Sequence, residues 1–251
     1  MARFAANLTY LFTEYPMPQR FTAARKAGFD GVEVLFPYDI AAKELAACAK
    51  AERLEFVLMN APPPNWSGGP RGFAAEPANK DRFRSDFDRA LRYAQVLHSR
   101  HIHIMSGKAD GALARDTLVE NLKWAADRAP HASLVIEPIN HDDLPGYFLS
   151  DFDIAADIIA EVQAPNVGLQ FDAYQAQMIH KDALGMWRKY GALARHVQIA
   201  GVPGRHEPRN ADIDYIAFLA EVIDSGYDAW IGAEYIPQTT TEAGLRWLRE
   251  R

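Results

Sequence analysis

Eight short apolar runs punctuate this 251-residue chain, and a helix-length segment follows each of them. The runs are residues 3–8, 31–36, 55–60, 101–106, 133–137, 167–172, 196–200 and 230–234. Most are too short for helices and are bounded by Gly, Pro or Asn, the pattern of buried strands. The helical segments fall at 18–27, 41–51, 80–97, 117–128, 151–162, 182–190, 214–225 and 241–249. In the third of these, Phe83, Phe87, Leu91 and Ala94 share one stripe and the charges lie elsewhere. Gly28 suits a helix stop, and Asp151 and Asp214 stand where a carboxylate can take up free helix N–H groups. Eight strand–helix units in roughly 250 residues predict an α/β chain, a single (β/α)8 TIM barrel occupying residues 1–251 as one domain. The competing open, doubly wound sheet wants a glycine-rich phosphate loop after its first strand, and NLTYLFTEYP contains none.

Composition narrows the class of partner. A hydrophobic fraction of 49% supplies a large core, and a net charge of -6 argues against a protein held on nucleic acid by bulk electrostatics. The single cysteine, Cys48, rules out an intrachain disulfide framework or a cysteine-rich zinc site. No apolar run approaches the about 20 residues that span a bilayer, and MARFAANLTY lacks the shape of a cleavable signal. The expectation is a cytoplasmic protein with a small-molecule substrate. The aromatic stretch FPYD at 36–39 is a candidate surface for a homo-oligomer.

Chemistry concentrates at the ends of the last four runs. Glu137 ends SLVIE, Asp172 ends VGLQFD, Gln198 lies in RHVQIA and Glu234 ends AWIGAE. An apolar strand has no packing reason to end repeatedly on an acid or an amide. In a parallel barrel these ends share one face, where barrel enzymes keep their active sites. Three carboxylates and one amide oxygen form a hard donor set that suits Mg2+ or Mn2+ better than Zn2+ or Cu2+. Arg205 is the preferred residue to hold a substrate anion, because its guanidinium binds a carboxylate through two hydrogen bonds, and Lys108 is the second. The long irregular stretch 61–79 follows the third strand, and its Trp66, Arg71 and Phe73 are placed to cover a small substrate. His101 and His103 alternate along the fourth strand and are read as structural, and His196 as one layer below Gln198.

Taken together, these segments resemble the hydroxypyruvate isomerase family, within the xylose-isomerase-like barrels that also include sugar epimerases. RFAANL, AGFDGVEVLFPYD, TLVENLKWAAD, IEPINHDDLPGYFL, QFDAYQAQ, HVQIAGVPGRHEP and EYIPQTTTEAGLRW carry the resemblance nearly end to end. It implies a divalent metal with Glu137, Asp172, Gln198 and Glu234 as ligands, and proton transfer by Glu137 and Glu234. Ketose epimerases of this kind usually place histidine at the third ligand position, so Gln198 favours the hydroxypyruvate-isomerase branch. Two positions depart from that branch. Gln175 stands where histidine is common after the second ligand, and Met59 precedes Asn60 where a His-Asn pair is common. Asn60, Gln175 and His141 remain candidate substrate contacts. The implied reaction is aldose–ketose isomerisation of a small oxo acid through an enediolate. Epimerisation or isomerisation of a longer sugar or sugar acid, and a non-catalytic sugar-binding barrel, are the alternatives raised by the two missing imidazoles.

Overall fold

The strand signal translates into eight parallel strands that close on themselves. The structure, a computed structural model, describes residues 3–61, 71–209 and 212–249. The strands are β1 (Arg3–Asn7), β2 (Gly31–Glu33), β3 (Glu55–Ala61), β4 (His101–Ile104), β5 (Ser133–Ile136), β6 (Val167–Asp172), β7 (Ala194–Ile199) and β8 (Trp230–Ala233). Each pairs with its sequence neighbours, and β8 returns to β1, giving a closed barrel in the order β1 to β8. The helices are α1 (Met17–Ala27), α2 (Ala42–Glu52), α3 (Lys80–Leu97), α4 (Gly111–Arg128), α5 (Phe152–Val162), α6 (Ala173–His180), α7 (Ala183–Tyr190), α8 (Tyr215–Asp224), α9 (Thr241–Gly244) and α10 (Arg246–Arg249). None among the described residues is long and apolar enough to cross a membrane.

Local chemistry explains the boundaries. Gly28 ends α1 in a left-handed conformation, φ 99°, which glycine adopts without a Cβ penalty. Asp151 accepts hydrogen bonds from the Asp153 and Ile154 N–H groups at the start of α5, and Asp214 from Ile216 and Ala217 at the start of α8. Three elements differ from the sequence expectation. α4 begins at Gly111, six residues before 117, since its glycine-led first turn reads as loop. Residues 241–249 form two short turns of helix, not one helix. α6 is additional: Asp172 ends β6 and also accepts the Tyr174 N–H, so strand and helix follow without a connecting loop.

The barrel is apolar outside and polar inside. Phe4, Ala6, Val32, Ile102, Leu134, Leu169, Phe171, Val197 and Ile231 belong to the core between strands and helices. The alternate positions point inward, and there Asn7, Glu33, His101, His103, Gln170, His196 and Gln198 are all buried. Lining a barrel with polar groups is costly unless each finds a partner; Asn7, Glu33, Gln170, His196 and Gln198 are linked by hydrogen bonds, while both His103 ring nitrogens have none.

The aromatic stretch at 36–39 is half-buried and partly engaged: the Tyr38 hydroxyl donates to the Asn60 carbonyl at 2.6 Å, and its ring meets Tyr93 edge-on at 4.9 Å. One surface expectation is corrected: Phe73 does not cover the mouth. It is buried, with the Arg82 guanidinium 4.0 Å from its ring centre.

Candidate active site

β6 ends on Asp172 and β7 carries Gln198, and the two are partners in register across the sheet. Glu137 directly follows β5 and Glu234 directly follows β8, so all four leave neighbouring strands on the same barrel face. None is solvated: Glu137 is 5% exposed, Glu234 7%, and Asp172 and Gln198 0%. Solvated strand ends would not look like this.

Arg205 joins them from the loop after β7. Its hairpin is closed by the Gly201 N–H donating to the His206 carbonyl at 2.8 Å. Gly204 and Arg205 both adopt left-handed backbone, φ 86° and 55°. For a residue with a side chain this conformation is uncommon and is held by its surroundings. Arg205 Nη2 donates to Asp172 Oδ2 at 2.8 Å and to Glu234 Oε1 at 2.9 Å. The guanidinium also lies 4.6 Å from the Tyr174 ring centre. Arg205, expected to hold a substrate anion, is paired here with two of the rim acids, since buried carboxylates left without a cation repel each other. Its Nε and the Glu234 Oε2 remain buried without partners.

The electrostatics follow from burial. Burial, then the charges of Asp172 and Glu234, hold the Glu137 carboxyl well above the usual carboxylate range. Burial lifts Glu234 to about 8 against the opposing pull of Arg205. Burial disfavours the Arg205 charge, but Asp172, Glu234 and Glu137 outweigh it and keep the guanidinium firmly protonated. Burial and Glu234 also raise the Tyr10 hydroxyl, while Arg205 and Arg71 lower it, which puts Tyr10 and Arg71 within electrostatic reach of one another.

Beneath the rim runs a chain of hydrogen bonds. Gln170 Nε2 donates to Glu137 Oε2 at 2.9 Å and to Gln198 Oε1 at 2.7 Å. Gln198 Nε2 donates to Glu33 Oε2 at 2.8 Å, which Asn7 Nδ2 also approaches at 3.2 Å. His196 Nε2 lies 2.6 Å from Glu33 Oε1. His103 Nδ1 lies 3.6 Å from Glu137 Oε2. Glu33, Gln170 and His103 were missed as site residues by sequence reasoning. The available signal was period two: Gln170 stands two residues before Asp172 and shares its face, as His196 does with Gln198.

The remaining expected contacts divide. Asn60 is buried at the end of β3, with Oδ1 unpartnered. Gln175 is buried but its oxygen is taken by the Asn140 backbone N–H at 2.9 Å and side-chain N–H at 2.6 Å. It therefore holds the loop after β5 instead of offering a free group. Lys108 is exposed and lines an outer groove of about 570 Å³ with His141, Gly146 and Tyr147. His141 is exposed too, and its Nε2 lies 3.1 Å from the Tyr147 carbonyl. The groove they line includes none of Glu137, Asp172, Gln198 or Glu234. Trp66 lies outside the described residues.

Comparison with known proteins decides the family. The model for the xylose isomerase-like TIM barrel matches residues 21–251. The 2-oxo-tetronate isomerase of Cupriavidus necator is 45% identical over 99% of this chain and 98% of its own length. The hydroxypyruvate isomerase of Escherichia coli is 39% identical over the same shares of both chains, 99% and 98%. The chain belongs to the xylose isomerase-like TIM barrel family. A crystal structure from Brucella melitensis, described as an AP endonuclease of family 2, superposes with a TM-score of 0.96 at 41% identity, covering 100% of this chain and 99% of that one. With named relatives of this identity along its whole length, this member of the family is an isomerase.

The residues that the sequence reading offered to a divalent cation are Glu137, Asp172, Gln198 and Glu234. Among the described residues, no three His, Cys, Asp or Glu side chains converge closely enough to grip an ion as they stand. The donor set nevertheless fits a hard cation in kind: Glu234 Oε2 is a buried oxygen with no partner, and beyond burial the charge of Asp172 raises the proton affinity of both Glu137 and Glu234. Arg205 now supplies the positive charge such a cluster requires.

The buried carboxyls make stability depend on pH. Burial lifts Glu33 from an ordinary 4.5 to about 8, and Glu234 moves the same way. The folded state thus holds these protons more tightly than the unfolded chain. Their contribution is complete below the unfolded value of 4.5 and is lost as pH rises through about 8. The buried His101, His103 and His196, lowered by burial, contribute in the opposite sense only below about their ordinary 6.5, so urea unfolding in EDTA is expected to give lower stability at about pH 8.5 than at about pH 7. Equal or greater stability at the higher pH would contradict these environments.

Proposed function

We propose that this isomerase moves the carbonyl of a small 2-oxo-3-hydroxy acid from C2 to C3, with Glu137 and Glu234 transferring the proton. Hydroxypyruvate and 2-oxo-tetronate, named in its relatives, share that fragment and differ by one hydroxylated carbon. The observation that carries the reading is the pair of buried glutamates directly after β5 and β8 on one barrel face, with a guanidinium joining Glu234 to Asp172.

The chemistry requires a proton taken from C3 and one returned to C2, with the hydroxyl proton passing between the two oxygens. The substrate passes through an enediolate, and no atom is gained or lost. A carboxylate whose proton affinity is raised by burial is a better base than one in water and a matched acid for the return step. Glu234 has a free oxygen for this, since only Oε1 is bound by Arg205. Two glutamates on either side of the substrate suit one-base isomerisation and two-base transfer alike. Tyr10 and Tyr174 border the mouth and limit water. A divalent cation, Mg2+ or Mn2+, held by Glu137, Asp172, Gln198 and Glu234, would supply Lewis-acid stabilisation of negative charge on the substrate oxygens. With that charge in place Asp172 and Glu234 no longer depend on Arg205, whose guanidinium is then available to a substrate carboxylate.

The test is a substrate panel on EDTA-treated protein, with and without Mg2+ or Mn2+. Turnover of hydroxypyruvate or 2-oxo-tetronate that returns with metal is the expected outcome. Turnover confined to longer ketoses would instead support the epimerase reading. Ligand-dependent stabilisation without turnover of anything would support a binding protein.

A further inference from the structure

We propose that Glu33 is a positioning residue that fixes the Gln198 amide with its nitrogen on Glu33 and its oxygen on the opposite side, toward Gln170; this rests on the reading of Gln198 as a metal ligand. A carboxamide is nearly symmetric in shape and opposite in sense at its two ends. A cation binds the oxygen and is repelled by the NH2 group. A glutamine serves as a ligand only if something decides which end faces the ion.

Here both ends are decided by carboxylates. Glu137, Gln170, Gln198 and Glu33 are joined in one hydrogen-bonded chain, with acids at its two ends and amides between. Glu137 calls for an N–H, so Gln170 turns its NH2 to it, and the same NH2 donates onward to the Gln198 oxygen. Glu33 calls for an N–H at the far end, and Gln198 supplies it. Reversing Gln198 alone would set oxygen against the Glu33 carboxylate and NH2 against the Gln170 NH2, two losses at once in a buried layer. The Gln198 oxygen uses one lone pair on Gln170 and keeps the second.

Glu33 is itself built into place. It is 0% exposed. Asn7 and His196 hold its two oxygens. Gly232 on β8, two strands away around the barrel, leaves the space it fills, for a Cβ at that position would collide with the Glu33 carboxyl. Hydrocarbon would pack this layer without the cost of burying a carboxyl. The orientation does not depend on where the proton of the Glu33–His196 bond resides. That bond uses Oε1, while Gln198 and Asn7 both donate to Oε2.

The test is Mn2+ affinity, read by the electron paramagnetic resonance of free Mn2+, alongside thermal melting in EDTA. Glu33→Gln keeps an amide oxygen for Gln198 and an NH2 for His196, and is expected to hold Mn2+ within about threefold of wild type. Glu33→Met removes the acceptor and is expected to weaken Mn2+ by about tenfold or more, beyond anything its melting temperature implies. Equal affinity in Glu33→Met, or an equal loss in both variants, overturns the proposal. Should Glu33→Met fail to fold, the pair Q198E and E33Q/Q198E replaces it. Two facing acids in Q198E should weaken Mn2+, and the double variant should restore it; no restoration overturns the proposal. If wild type binds no Mn2+, the metal reading itself falls and this inference with it. If wild type binds and the variants match it, only the inference falls.

Discussion

Glutamine at position 137 or 234 is expected to lower kcat by roughly two to four orders of magnitude, the usual contribution of a positioned acid or base. The change is isosteric, removes the group that accepts a proton from carbon, and leaves packing alone. Glu137 is buried beside other acids and makes no ion pair with Arg205, so Glu137→Gln should leave the denaturant midpoint at or above wild type, whereas Glu234→Gln also removes a partner of Arg205 and should lower it. Steady-state kinetics on hydroxypyruvate and 2-oxo-tetronate check the first expectation and urea unfolding the second. A kcat within a factor of a few of wild type in both single variants would remove these residues from the chemistry.

Arg205→Met is expected to show its largest effect on stability. Its guanidinium is the cation paired at 2.8 and 2.9 Å with Asp172 and Glu234, whose side chains are 1% and 9% exposed. Breaking a buried pair by removing one partner typically costs about 3–5 kcal/mol, because the remaining charges are stranded. In EDTA the variant should therefore unfold at lower urea than wild type by an amount near that range. Saturating Mn2+ should recover most of the loss, since an ion bound only by the folded state stabilises it, by about 2.7 kcal/mol at a hundredfold excess over Kd. Full stability in EDTA would mean that the arginine does not neutralise the rim. A loss that metal fails to recover would mean that the ion does not bind there.

The architecture was legible because it rests on periodicity. Eight apolar runs spaced by helical segments have one economical closed arrangement, and all eight strands appear where the runs lie. The rim residues were legible for a related reason. An acid at the end of an apolar strand violates the packing pattern, and Glu137, Asp172 and Glu234 each do so. What sequence did not reveal is partnership. Arg205 looked like a free cation, and only the left-handed hairpin shows that it turns back on the acids. Gln175 looked available, and only its distance to Asn140 shows that it is engaged. Glu33 sits in the apolar run GVEV, where a lone acid reads as a flaw in the strand. Its meaning depends on Gln198, His196 and Gly232, which lie more than 160 residues away and which no local pattern connects to it.

Deuterium incorporation tests the central claim most directly. Hydroxypyruvate or 2-oxo-tetronate is incubated in D2O with the wild-type isomerase, and label at C2 and C3 is followed by NMR with Mg2+ and then with EDTA. The account predicts rapid labelling with Mg2+, and none above the enzyme-free background with EDTA or in the Glu137→Gln/Glu234→Gln double variant. Labelling that proceeds unchanged without the cation, or without the two glutamates, would contradict it.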